Sequence, residues 1–277
     1  MKVEAVARFG SLRAVPWLAW LLLVLGVLYF VRGLLPPGFS PLSSLAGAGP
    51  IFFAAAVVFV APRDRRFTWA ALALGVPPIV SLLADWTPIV WQQVAPGDWV
   101  NAVPLLYDLG SVAIGVATII GLAGLFLLGL ALGGVRAFLS VVILAAGVVV
   151  ALADLTWFFA HPVEQLPVLQ AARSVIYPTL NVLGWGFVFA AALESLRSLT
   201  LVGTGLVASN VVVRAVLAWW TIGPDANTDL LTLIIAGPLL VGWLAMTAGA
   251  LRGELNGAAV APRSRAGRGS GARRRAG

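Results

Sequence analysis

Apolar stretches long enough to cross a bilayer recur along the chain, and short polar segments divide them. Each stretch runs for roughly 20 residues, the length of helix that spans a hydrocarbon core of about 30 Å. The pattern predicts about eight spans. The first covers Val15 to about Leu35, and the second about Ser44 to Ala61. The third begins near Phe67, and its double proline, Pro77-Pro78, predicts a kink because two backbone donors are missing. The fourth runs from about Leu105 to Gly133, and the fifth follows Arg136 and closes at Asp154 to Trp157. The last three cover about Ser174 to Leu196, Leu199 to Thr221 and Leu230 to Leu251.

Three of these spans close on variants of one short stretch. They are Leu83-Ala84-Asp85-Trp86-Thr87, Leu152-Ala153-Asp154-Leu155-Thr156 and Leu217-Ala218-Trp219-Trp220-Thr221. Each lies about one membrane thickness after a basic residue, so each is expected to mark the far end of its helix. Between Pro88 and Pro104 the chain is too polar to span and too aromatic for an ordinary loop. An interfacial segment fits, since indole rings favour the headgroup level. Glycines 110, 115, 121, 124 and 129 in the fourth span predict close helix packing, because small residues let backbones approach in lipid.

Composition narrows the class. The chain is 60% hydrophobic and 10% charged, where a soluble domain carries about 25% charged residues. Its fold class is therefore read as an all-α integral membrane protein of about eight transmembrane helices arranged as helical hairpins. Short echoes, such as Tyr107-Asp108 beside Tyr177-Pro178, raise the question of a weak internal hairpin repeat. Cysteine is absent, which excludes disulfides and thiolate chemistry, and the single His161 excludes a multi-histidine metal or haem site. No cofactor is read. Seventeen of the eighteen basic residues are arginine, which suggests a high-GC bacterial genome.

Charge then orients the spans. Lys2, Arg8, Arg13, Arg63, Arg65, Arg66, Arg136, Arg197 and Arg252 fall on one side, and Asp98, Glu164, Asp225 and Asp229 on the other, with Arg173 as the basic exception. The positive-inside rule makes the basic side cytoplasmic, which places both termini inside the cell membrane. Residues 1–14 form a cytoplasmic segment, 15–251 the bundle, and 252–277 a basic tail of Gly, Ala, Ser and Arg. That tail has nothing to bury, so disorder near anionic lipids is expected, with nucleic-acid contact a weaker alternative. Inner turns are short, and no phosphate-binding loop is present. Glu194 and Arg197, three residues apart, predict an interfacial ion pair.

Candidate chemistry gathers at the outer level. Arg214 lies one to two turns inside the end of the seventh span, with Asn210 one turn away on the same face. An arginine at that depth costs about 2.5–3.5 kcal/mol unless it snorkels or pairs. Asp85, Asp108 and Asp154 are at matching heights, and Tyr107, Tyr177, Asn181 and Arg32 enter at comparable depth. Together they predict a polar vestibule open to the outside.

No catalytic constellation is read. Tyr107-Asp108 lacks the second half of an intramembrane aspartyl protease site, and Asp225 with Asp229 fits an exposed turn better than a metal site. Two function classes follow. One is a transporter, permease-like or ligand-binding component that takes a small or amphiphilic ligand through the vestibule. The other is a structural or assembly subunit packed beside other membrane proteins. A lipid-acting enzyme ranks third for want of a nucleophile or metal.

Overall fold

The computed structural model describes residues 16–34, 41–133, 145, 149, 167–195, 197–219 and 228–256. The regular structure among these residues is helical, with no strand among them. Seven helices are described: α1 (Trp17–Arg32), α2 (Pro41–Val60), α3 (Arg65–Val94), α4 (Trp99–Leu132), α5 (Pro167–Ser195), α6 (Ser198–Trp219) and α7 (Thr228–Leu251). Helices α2 to α6 each contain an apolar stretch long enough to cross a membrane, and α1 and α7 contribute shorter apolar ones. The chain is thus a helical protein of membrane character. Most of the expected fifth span, Asp154, His161, Arg136, Asp225 and residues 1–15 and 257–277 lie outside the described residues, and Asp229 falls in the first turn of α7.

Packing follows a closed order. Helix α2 packs on α3, α3 on α4, α4 on α5, α5 on α6, α6 on α7, and α7 returns to α2. Helix α1 lies against α2 and more lightly against α3. Three neighbours make α2 the most buried of the long apolar helices, with 61% of its apolar stretch inside. Its sequence permits this, because Ala46, Ala48, Gly49, Ala54, Ala55 and Ala56 present little bulk to the flanking backbones. Large rings fill the middle of the ring of helices. Phe53 of α2 lies 6.0 Å from Trp243 of α7, and Trp243 meets Trp185 of α5 edge to face at 5.5 Å.

Glycine sets the closest crossings. A β-carbon on Gly124 of α4 would sit 2.9 Å from the Ala70 carbonyl oxygen of α3, and one on Gly121 would sit 3.0 Å from the Pro77 ring. One on Gly129 would run into Phe187 of α5, whereas Gly115 faces open space. Four of the five glycines in this helix thus adjoin neighbouring helices, Gly110 lying beside Ala84.

Helix α3 departs from the sequence expectation. It does not stop at the Asp85 stretch but continues to Val94. Thr87 turns its hydroxyl back onto the Leu83 carbonyl at 2.7 Å, and Pro88 is buried inside the helix. Pro96 ends it, since the residue before a proline is pushed away from helical geometry. That residue, Ala95, has φ −135° and ψ 64°. A short 3-10 turn, Pro96–Asp98, joins directly to α4 at Trp99. The segment from Pro88 to Pro104 is therefore two helix ends and a turn. Continued backbone pairing explains this, because a helix satisfies its own polar groups where apolar surroundings offer no water.

Candidate functional site

The two ends of the bundle carry different chemistry. At the basic end, Asp64 caps α3. Its carboxylate accepts from the Arg66 backbone N–H at 2.9 Å and from the Arg66 guanidinium at 2.8 Å. The side-chain bond from Arg66 holds the Asp64 pKa below its ordinary value. Ala61, the residue after α2, takes a positive φ of 46°, a helix-ending geometry usually filled by glycine, and Pro62 follows it.

Glu254, just beyond α7, caps the start of α6 from outside that helix. Its carboxylate accepts from the Leu199 and Thr200 N–H groups at 3.1 and 2.9 Å, and from the Thr200 hydroxyl at 2.8 Å. A helix N-terminus leaves such donors free and favours negative charge. Burial acts to raise the Glu254 pKa, but the bonds from Thr200, Leu199 and Ser198 outweigh it and hold it low. Arg197 does not form the expected ion pair with Glu194. Its guanidinium lies over the Phe67 ring at 5.3 Å, in the field of Glu254 and Asp64. Burial lowers its pKa from the usual arginine value. A planar cation can stack on a buried ring, which a one-turn separation from Glu194 does not prevent.

The opposite end holds the candidate site. Arg32 at the end of α1 forms a salt bridge with Asp85 of α3. Tyr29, one turn earlier on α1, has the Arg32 guanidinium 5.9 Å from its ring centre. The Tyr29 ring rests on Gly47 of α2, where any β-carbon would meet it at 2.8 Å. Tyr29 also lies within the electrostatic reach of Arg214 on α6. Helices α1 and α3 thus bring Tyr29, Arg32 and Asp85 together, and Arg214 of α6 acts on Tyr29 through its charge. Arg214 is exposed, and among the described residues it makes no salt bridge.

Asn210, one turn below Arg214, is 3% exposed. Its side-chain amide donates to the Ile235 carbonyl of α7. The bond ties α6 to α7 one residue after Ile234, whose carbonyl loses its helical partner at Pro238. The Asn210 Oδ1 is buried and has no partner among the described residues.

On α5, the Asn181 amide donates to the Tyr177 carbonyl at 3.1 Å, and both residues are partly buried. Tyr107 and Asp108 belong to α4, but their side chains lie outside what is described, as does Asp154. Of the residues expected at this level, Arg32 and Asp85 are in contact, and Arg214 lies on α6 with Asn210 one turn away on the same helix. The cluster adds Tyr29, which the sequence reading passed over. The signal was present: Tyr29 stands three residues before Arg32, on the same helical face. No protein-family model matches the chain, and neither a curated protein nor a solved structure does.

Proposed function

We propose that this chain is a ligand-binding or permease-like component of a cell membrane, taking a small or amphiphilic molecule at a polar vestibule on its outer face. The proposal includes eight spans in hairpins with both termini cytoplasmic, which rests on the alternation of arginines along the sequence. The observation that carries the functional part is the cluster of Tyr29, Arg32 and Asp85 from α1 and α3, with Arg214 of α6 acting on Tyr29 through its charge. Arg32 already pairs with Asp85, which leaves Arg214 a cation without a salt bridge among the described residues, so this end favours an anionic group on the ligand. Asn210 Oδ1 offers an acceptor one turn deeper.

A simple probe pair tests this. Octanoate and octylammonium share a chain and differ in the sign of the head. Octanoate is expected to raise the melting temperature of the protein in neutral detergent, and octylammonium is not. Arg214→Gln should abolish the octanoate effect, while Arg65→Gln at the other end should preserve it. Equal shifts for both probes, or an unchanged shift in Arg214→Gln, would remove the anion site.

A second reading has its own observation. Phe53, Trp243 and Trp185 occupy the middle of the helix ring, and no charged residue is buried as a whole among the described residues. A carrier coupled to an ion wants ionisable groups near the midplane. A structural or assembly subunit needs none. Flux of a ligand across vesicles holding this chain alone would support the first reading; binding without flux would support a component that acts with other subunits.

A further inference from the structure

A second feature lies away from the polar cluster, on the flank where α1, α2 and α7 meet. A groove of about 360 Å³ opens there, walled by Leu23 of α1, Phe52 and Phe59 of α2, and Leu240, Trp243 and Leu244 of α7. Its floor is cut low by Gly49, Ala55 and Ala56. The lining is carbon almost throughout. Its one hydroxyl, on Thr247, is already donated to the Trp243 carbonyl at 2.7 Å.

The dimensions select the occupant. From Leu45 to Phe59 the groove follows α2 for about 21 Å at the helical rise. A long apolar groove of about 360 Å³ suits an extended hydrocarbon chain in carbon-to-carbon contact with its walls.

The ends of the groove differ in charge. At the basic end, Phe59 is followed four residues later by Arg63, and Leu251 is followed at once by Arg252. Both arginines are exposed, and among the described residues neither side chain has an ion pair or hydrogen bond. The nearby Asp64 is already held by Arg66. A molecule with one chain in the groove and its head at this end therefore meets two free cations. We infer that the groove binds an anionic phospholipid, with one acyl chain along α2 and the phosphate head beside Arg63 and Arg252. The inference is independent of the vestibule at the other end of the bundle.

Native mass spectrometry tests it on the full-length protein. The protein is extracted from vesicles of phosphatidylcholine and phosphatidylglycerol in equal amounts, and retained lipid is weighed. One phosphatidylglycerol is expected per chain, at several-fold excess over phosphatidylcholine. The double variant Arg63→Gln/Arg252→Gln should retain lipid but lose that preference. Leu244→Trp starts from an exposed wall position, 58% accessible, so it fills the groove without disturbing the core. It should lose the retained lipid of either kind. Equal retention of the two lipids by the unaltered protein, lipid binding unchanged by Leu244→Trp, or a second polypeptide in place of lipid would each overturn the inference.

Discussion

Arg32 and Asp85 form a salt bridge between α1 and α3, two helices that otherwise touch only lightly. The pair fastens the outlying first helix to the ring near the end where Arg214 also lies. Its side chains are 27% and 40% exposed, so water weakens the attraction. A double-mutant cycle of Arg32→Ala and Asp85→Asn should show a coupling of about 0.5–1 kcal/mol in detergent unfolding. Arg214→Ala should couple to Asp85→Asn less strongly than Arg32→Ala does. The reverse order would make Arg214 the true partner of Asp85.

Glu254 should make stability depend on pH. Its folded pKa is lowered, so its contribution is present above its unfolded value of about 4.5. It is lost as pH falls through the lower folded value. Unfolding midpoints of the unaltered protein should therefore drop more steeply below pH 4.5 than those of Glu254→Gln. Near neutral pH, Glu254→Gln should cost about 0.5–2 kcal/mol, the range for removing a helix cap. Parallel pH curves for the two proteins would mean that the cap does not act through its charge.

Helices α6 and α7 cross where Gly203 meets Gly242. A β-carbon on Gly203 would lie 2.7 Å from the Gly242 carbonyl oxygen and 2.8 Å from the Met246 backbone nitrogen. Backbone cannot swing aside as a side chain can, so Gly203→Ala should destabilise by about 1–3 kcal/mol. Gly115→Ala meets nothing within 4 Å and should be neutral or stabilising. Thermal unfolding of the two variants side by side separates close packing from glycine flexibility, since flexibility alone would give both the same sign.

Topology has a direct check. Reporter fusions after Arg66, Arg136, Arg197 and Arg252 should all report the cytoplasm, and fusions after Asp98 and Asp225 the outside. One reversed site between Arg66 and Arg197 would change the number of spans in that interval.

Several features were legible in the sequence because each depends on local composition. Apolar runs between arginines gave the membrane character and the core of each described helix, while α4 and α5 begin at Trp99 and Pro167, earlier than the expected Leu105 and Ser174. The glycines of α4 announced close packing, and Arg214 stood out through its cost at that depth. Helix ends were less legible. Asp85 reads as a terminus by charge, yet α3 continues to Val94, with the Thr87 hydroxyl on the Leu83 carbonyl and Pro88 buried within the helix.

Tertiary structure decided what no spacing could. Arg32, rather than Arg214, holds Asp85, because α1 is set in place by its packing on α2 at Gly33, Ser44 and Gly47, which brings its end to α3. Glu254 reaches the start of α6 only because α6 and α7 lie side by side, which brings residues 54 positions apart into hydrogen-bond range. Arg197 chose the Phe67 ring over its sequence neighbour Glu194. A charge in sequence states what a residue needs; which partner meets that need follows from the contacts that fix the helices together.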